Sequence, residues 1–239
     1  LVPDQTRLGD LRSGVDRAFD ARERAGAGAE RGDDDPWYWQ FEPEPEYELA
    51  VGFGRQFVNA GSGVWLADSP RMLFELTEAF EAAGLRDLIG DYLGERPAIS
   101  VNKGTLRRAA PDVASGWHQD GAFLGDGIRS INVWLALNDC GRDAPGMEIV
   151  ARRLDRIVET GTHGAQFEWS VGQAVVDEVA SEAIAMPEFK AGDALLFDHF
   201  NLHRTGLDPS MTETRYATET WFFAPSAYPD PNDQVPLAF

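Results

Sequence analysis

The stretch SINVWLAL at residues 130–137 has the composition of a buried strand, because apolar and β-branched side chains fill most of its positions. Further short segments of this kind follow Pro97, at residues 99–107, 147–150, 194–197 and 216–223. Turn-forming residues separate them. Many short strands spaced in this way predict an antiparallel sandwich or barrel, and no glycine-rich phosphate loop points to a nucleotide-binding fold.

The region before Pro97 has helical rather than strand periodicity. Ser69 precedes Pro70 and an apolar pattern that runs to Gly84, which predicts an amphipathic helix with a serine cap. A second short helix is expected at residues 88–94. The overall prediction is therefore a mainly β protein with flanking helices.

The segment at residues 12–35 is rich in Ala, Gly, Arg, Glu and Asp and ends in three consecutive aspartates before Pro36. Few of its residues are typical of a core, so we expect a mobile or partly helical arm. An aromatic cluster at residues 37–41 follows directly, and it should either pack on the core or cover a pocket. Residues 161–185 have no readable periodicity, and loops of that length are often functional.

The composition bounds the function. At 239 residues, with 43% hydrophobic residues, the chain suits one domain over residues 1–239. A net charge of -19 repels nucleic acid and anionic membranes, so neither is expected as a partner. The same field opposes a small dianion, whose site must then contain its own Arg or Lys. The lone Cys140 is expected to be a buried small hydrophobe.

No apolar run reaches the roughly 18 to 20 residues that would span a bilayer. Residues 1–10 lack the basic start and apolar stretch of a secretion signal, so a cytoplasmic location is expected. The absence of an initiator Met suggests that the true start lies upstream.

Metal-binding chemistry is indicated by three residues in two segments. His118 and Asp120 are two positions apart, which on a strand directs both side chains to one face. The apolar segment after Gly192 ends in His199 and His203, and His203 is preferred as the third ligand. Two imidazoles and one carboxylate form the facial triad of mononuclear iron(II) oxygenases, which leaves open positions for other ligands. Zinc is the alternative, although it favours a closed tetrahedral set or three ligands plus water.

Four pieces of the sequence together resemble the phytanoyl-CoA dioxygenase family. They are residues 117–121 (WHQDG), residues 132–137 (NVWLAL), Gly192-Asp193 leading to His203, and Arg215. The resemblance extends over residues 99–223 and implies a double-stranded β-helix, or cupin-like jelly roll, with its core at residues 97–223. It also implies an oxygenase that uses Fe(II), 2-oxoglutarate and dioxygen.

The resemblance assigns roles by position. His118, Asp120 and His203 would ligate the iron, and Arg215 would pair with the far carboxylate of 2-oxoglutarate. An arginine fork fits a carboxylate through two hydrogen bonds, and it supplies the cation that the negative chain requires.

Five further residues are candidates for contacts with 2-oxoglutarate. Thr205 would share a strand face with His203, and Thr105 and Arg107 lie on the strand before the metal triplet, where an exposed basic edge strand is the alternative reading. Asn132 and Trp134 share one face of their strand. The chain departs from the family at residues 150–154, where the usual Pro-Gly-Ser-His is missing, so the substrate side is expected to differ.

The predicted function is hydroxylation of a small organic molecule, with decarboxylation of 2-oxoglutarate to succinate. A non-catalytic binding protein of the same fold and a zinc-dependent enzyme are the alternatives. An apolar or ring-containing substrate would suit the aromatic residues expected near the mouth of the site, each of which could instead belong to the core: Trp37, Trp39, Trp65, Phe123 and Trp221.

Overall fold

Two antiparallel β-sheets form the centre of the fold in the computed structural model, which describes residues 1–2, 4–28, 36–40, 51–112, 115–180, 183–230 and 235–239. The larger sheet consists of β1 Gly63–Trp65, β2 Ala98–Ser100, β3 Thr105–Ala109, β4 Ser130–Ala136, β7 Ala194–Phe197, β9 Arg215–Phe223 and β10 Pro236–Ala238. The smaller sheet consists of β5 Gly146–Val150, β6 Ile184–Ala185 and β8 His203–Gly206.

The helices are α1 Gln5–Gly26, α2 Val51–Ala60, α3 Pro70–Ala82, α4 Leu85–Leu93, α5 Gly121–Leu124 and α6 Gln173–Ala180. The predicted helices before Pro97 correspond to α3 and α4. Ser69 does precede α3, but its hydroxyl donates to the Trp37 carbonyl oxygen at 2.6 Å rather than capping the helix. Among the described residues, no helix combines the length and the hydropathy needed to cross a bilayer.

The long strand β9 organises the larger sheet. It pairs along one edge with β4 and along the other edge first with β3 and then with β2. Strand β7 extends the sheet beyond β4, and β1 and β10 extend it beyond β3 and β2. The larger sheet therefore also contains strands from outside the expected core at residues 97–223, because β1 precedes that range in the sequence and β10 follows it.

Alternation along β4 separates the two faces of the larger sheet. Ile131, Val133 and Leu135 pack with α1, α3 and α4 in one hydrophobic core. Trp134 and Ala136 point the other way and pack with Met147 of the smaller sheet. The architecture confirms the predicted class, mainly β with flanking helices and a jelly-roll core, and it places a space between the sheets for a site.

Helix α1 decides between the mobile and the partly helical arm that were expected at residues 12–35. Its apolar residues Leu8, Leu11, Val15 and Phe19 are spaced three or four positions apart and are buried in the helix-side core. A Cβ atom at Gly14 would lie 2.3 Å from the Met72 sulfur, so this glycine allows α1 to approach α3 closely. For residues 12–26 the partly helical alternative holds and the mobile one is wrong; residues 29–35 lie outside the described residues.

Replacing Phe19 by alanine tests this docking of α1. The side chain is 2% exposed, and its removal should lower the free energy of unfolding by about 3 to 5 kcal/mol. Urea unfolding followed by circular dichroism measures the change. Phe74, which is 55% exposed on α3, is the matched control, and Phe74→Ala should change stability by less than about 0.5 kcal/mol. Equal effects of the two substitutions would contradict a docked helix.

Candidate metal centre

The two candidate histidine ligands are held side by side by the backbone. His118 forms an isolated antiparallel bridge with His203, the first residue of β8. Each residue donates its backbone N–H to the carbonyl oxygen of the other at 3.0 Å. The imidazole rings consequently lie with their centroids 4.3 Å apart.

The carboxylate joins them from a helix start. The sequence predicted an extended backbone at Asp120. In the structure Asp120 instead has helical backbone angles directly before α5. Its Oδ2 lies 3.6 Å from Nε2 of His203, and one ligand atom from each of His118, Asp120 and His203 lies within 4.8 Å of the others. His199 is not part of this group, since its Nδ1 lies 2.9 Å from the Ser130 hydroxyl.

The hydrogen bonds of the two imidazoles suit a metal site. Nδ1 of His118 lies 2.9 Å from the Gly116 carbonyl oxygen, and Nδ1 of His203 lies 3.1 Å from that of Asn201. A carbonyl oxygen only accepts, so Nδ1 carries the proton in both rings. Nε2 of each ring is then left as a lone-pair donor, which is the arrangement that a metal ligand requires.

Lys103 pairs with Asp120 and stabilises its ionised form. Its ammonium donates to Oδ1 of Asp120 at 2.8 Å, which leaves Oδ2 for a metal. Burial by itself would raise the pKa of Asp120, but Lys103, His203 and His118 together hold it down at about 2. Asp120 is therefore an ionised ligand at neutral pH.

His118 is neutral in the folded protein. Burial, together with His203 beside it, lowers the pKa of His118 from 6.5 to about 4. Burial also lowers the pKa of His199. Protonated imidazoles cannot bind a metal, so a depressed pKa keeps the His118 ligand available in weakly acidic solution.

These shifts predict how stability depends on pH. Below pH 6.5 the unfolded chain takes up a proton at His118, whose imidazole stays neutral in the folded state until about pH 4, so the stability of the metal-free protein should fall as the pH drops from 6.5 towards 4. Urea unfolding at pH 7 and pH 5 measures the loss. It should be smaller in His118→Gln protein and unchanged in the control His163→Gln, since His163 is an exposed loop residue. An equal loss in all three proteins would contradict the assignment.

Gln119 has a supporting role that the sequence did not indicate. Its fully buried amide nitrogen donates to the carbonyl oxygens of Arg156 at 3.0 Å and Phe200 at 2.6 Å, and its amide oxygen accepts from the backbone N–H of Val158 at 2.8 Å. Gln119, which lies between two candidate ligands, thus fixes the backbone at residues 156–158 and at Phe200 next to them. In the sequence, the one signal for this role was the position of Gln119, a polar residue that alternation turns away from the candidate ligands His118 and Asp120 on either side of it.

A cavity of about 450 Å³ adjoins the three ligands and extends to Arg215. Arg215 is 3% exposed, and its Nη1 donates to the Gly146 carbonyl oxygen at 2.8 Å. Its Nε has no hydrogen-bond partner, and it forms no salt bridge with any residue that the structure describes. Burial, and then the nearby Arg107, lowers the pKa of Arg215 to about 10. A buried cation of this kind lacks a carboxylate partner.

Four of the five other predicted contact residues line the same cavity: Asn132, Trp134, Thr205 and Arg107. The side-chain oxygen of Asn132 and the indole nitrogen of Trp134 are buried without hydrogen-bond partners in the described chain. This end of the cavity therefore offers several polar atoms to a small ligand.

Thr105 and Arg107 differ from the prediction. Thr105 does not line the cavity, because β1 pairs with β3 and places Gly63 against its methyl group, while its hydroxyl donates to the Lys103 carbonyl oxygen. Arg107 does line the cavity, but both oxygens of Glu219 accept from its guanidinium, at 3.1 and 3.2 Å. Neither is positioned to bind a second carboxylate.

Four aromatic side chains line the cavity opening: Phe57, Phe123, Phe167 and Trp169. We call this group the aromatic rim. Of the aromatic residues predicted at the mouth, only Phe123 belongs to it. The other four do not line the cavity, and Trp65 and Trp221 are buried. Phe167 and Trp169 come from the segment at residues 161–185 that had no readable periodicity.

Comparison with known families gives a direct match. A family model described as phytanoyl-CoA dioxygenase (PhyH) matches residues 79–210, which is more than half of the chain. The matched range contains all three candidate metal ligands. No curated protein matches the sequence significantly.

Solved structures share the fold at low sequence identity. AviO1 from Streptomyces viridochromogenes Tue57 is 18% identical with a TM-score of 0.54, and the match covers 95% of this chain and 89% of that one. EctD from S. alaskensis with bound Fe is 13% identical with a TM-score of 0.54, covering 95% and 72%. EvdO2 from Micromonospora carbonacea var. aurantiaca, complexed with 2-oxoglutarate, is 16% identical with a TM-score of 0.51, covering 71% of each chain.

Proposed function

Because the chain belongs to the phytanoyl-CoA dioxygenase family, we propose that this iron(II)- and 2-oxoglutarate-dependent oxygenase hydroxylates a small organic molecule. The observation that carries the proposal is the combination within one cavity of three converging ligand atoms and a buried arginine that has no carboxylate partner among the described residues. Iron needs the first, and 2-oxoglutarate needs the second. Structures of similar fold have been solved with each group bound, in EctD and in EvdO2 respectively.

In this proposal His118, Asp120 and His203 hold the iron. Two neutral imidazoles and one carboxylate occupy one face of an octahedral ion and leave three positions for other ligands. Zinc would more often be held by a closed tetrahedral set. Lys103 keeps one oxygen of Asp120 engaged, so that the other is directed at the metal position.

Arg215 is proposed to pair with the far carboxylate of 2-oxoglutarate. Its guanidinium is held by the Gly146 carbonyl oxygen and leaves Nε without a partner, which suits a carboxylate that accepts a charge-assisted hydrogen bond. The hydroxyl of Thr205 and the side chains of Asn132 and Trp134 are the remaining candidates for positioning it.

When bound, iron and 2-oxoglutarate supply the oxidation, in which dioxygen and a C–H bond give an alcohol while 2-oxoglutarate gives succinate and carbon dioxide. The protein residues orient the reactants and exclude water. Gln119 and the paired backbone of His118 and His203 fix the ligands before the metal binds. The aromatic rim covers the opening of the cavity with apolar surface.

The experiment is a turnover assay with ¹⁸O₂, iron(II) and 2-oxoglutarate, using a panel of small organic molecules. Hydroxylation predicts that succinate forms and that one labelled oxygen atom appears in the product by mass spectrometry. A product that has lost two hydrogens without gaining oxygen would replace hydroxylation by desaturation. Absence of both succinate formation and iron binding would favour a zinc enzyme or a binding protein.

A further inference from the structure

The aromatic rim and the charges around it point to a class of substrate. We propose that the primary substrate is an uncharged, ring-bearing molecule that binds with its ring against the rim. This inference rests on the proposed oxygenase function and adds what the enzyme acts on.

The rim begins at the metal centre itself. The Trp169 ring lies edge-on to the His118 imidazole, with centroids 5.6 Å apart. Phe167 stacks on Trp169 at 5.1 Å, and Phe57 and Phe123 meet Trp169 edge-on at 5.5 and 5.7 Å. A ring held among these side chains would lie beside the reacting position, because Trp169 contacts a ligand of the metal.

The exposure of the rim is unusual for aromatic residues that only fill a core. Phe57, Phe123 and Phe167 are 41%, 46% and 41% exposed, although they lie next to one another. Contiguous exposed apolar surface in a soluble protein commonly marks a binding site. Aromatic surfaces favour ring partners, which can stack or meet them edge-on.

The charged groups in the cavity lining argue against a charged substrate. Apart from Arg215, each cation in the described lining is paired with a carboxylate. The pairs are Lys103 with Asp120 at 2.8 Å, Arg107 with Glu219 at 3.1 Å and Arg204 with Glu148 at 2.6 Å. An anionic substrate would have to break a pair or face a chain with a net charge of -19. A cationic substrate would have to displace Arg107 from Glu219.

The polar group at the opening suits an uncharged partner. Gln166 lines the cavity beside Phe167, and its amide can both donate and accept hydrogen bonds. Hydroxyl and carbonyl groups match it. An acyl-CoA thioester does not fit this surface, because its phosphates would require free cations at the opening and the described part of the lining offers none there.

Binding of matched probes tests the proposal without relying on turnover. We would titrate naphthalene-2-carboxamide and naphthalene-2-carboxylate into protein loaded with iron(II) and 2-oxoglutarate without oxygen, and also into metal-free protein, following tryptophan fluorescence. Bound 2-oxoglutarate keeps the carboxylate probe away from Arg215. The carboxamide should bind at least about tenfold more tightly than both the carboxylate and the acyclic heptanamide. Equal binding by either comparison probe would overturn the proposal.

Substitutions locate the binding surface. Phe167→Ala should weaken carboxamide binding about three- to tenfold, and Phe167→Tyr should restore it. Phe74→Ala is the matched control, because Phe74 is an exposed phenylalanine that does not line the cavity. Unchanged binding in Phe167→Ala protein, or competition by acetyl-CoA, would overturn the proposal. Normal succinate formation alongside such a result would leave the oxygenase function standing, so the two failures are distinguishable.

Discussion

Replacing His203 by alanine should lower the affinity for iron(II) by more than about a hundredfold. Loss of a group that only hydrogen-bonds to a metal ligand already lowers metal affinity by about 10- to 100-fold. His203 supplies one of three converging ligand atoms, and no fourth His, Cys, Asp or Glu of the described chain joins that group. Anaerobic titration with iron(II), followed by metal analysis after gel filtration, measures the affinity. His118→Ala protein should behave in the same way.

The control for this experiment is His163→Ala, which removes an exposed imidazole outside the cavity. Its iron affinity should equal that of the unmodified protein. Retained iron binding in His203→Ala protein would contradict the ligand assignment and would direct attention to the buried His199.

Replacing Arg215 by alanine should raise the concentration of 2-oxoglutarate needed for half-maximal binding by about a hundredfold, because a charge-assisted contact in a buried site contributes roughly 2 to 3 kcal/mol. The visible charge-transfer band of the chelated keto acid with iron(II) gives a readout that does not depend on turnover. Arg215→Lys should restore binding only in part, because an ammonium lacks the planar fork of a guanidinium.

Arg142→Ala provides the matched control, since Arg142 is an exposed arginine whose salt-bridge partners include Asp143, and it does not line the cavity. Its affinity for 2-oxoglutarate should be unchanged. An unchanged requirement in Arg215→Ala protein, with iron still bound, would remove Arg215 from the co-substrate site.

Most of the β-sheet core could be predicted, because period-two patterns and turn residues are local signals. The segment at residues 194–197 coincides with β7, and residues 130–137 contain β4. The segment at residues 99–107 was predicted as one strand but is two, since a turn at residues 101–103 separates β2 from β3. That turn places Lys103 beside Asp120, a contact that no local pattern reveals.

The full length and the docking of helix α1 were not predicted, because composition outweighed spacing. Leu8, Leu11, Val15 and Phe19 have helical spacing, and Asp4 caps the helix by accepting from the backbone N–H groups of Thr6 and Arg7. The many charged and small residues between them dilute that pattern in a composition count.

In the candidate site, some residues could be predicted from the sequence and others could not. His118, Asp120, His203 and Arg215 were predicted because their residue types and spacing match a family pattern, and the structure brings all four to one cavity, where their roles stay predictions. Apart from Phe123, the aromatic rim was not predicted, because its members come from α2, α5 and an irregular segment. Only the packing of distant parts of the chain brings them together.

The segment at residues 161–172 is attached to the backbone around the metal ligand His118. Ser170 forms an isolated bridge with His118, and the backbone N–H of Val171 donates to the Trp117 carbonyl oxygen at 2.7 Å. The segment therefore cannot be replaced without breaking backbone contacts to residues 117–118. Grafting a foreign loop to alter selectivity would also disturb iron coordination, so evolution and engineering of this enzyme should proceed through single side chains, with these backbone attachments left in place.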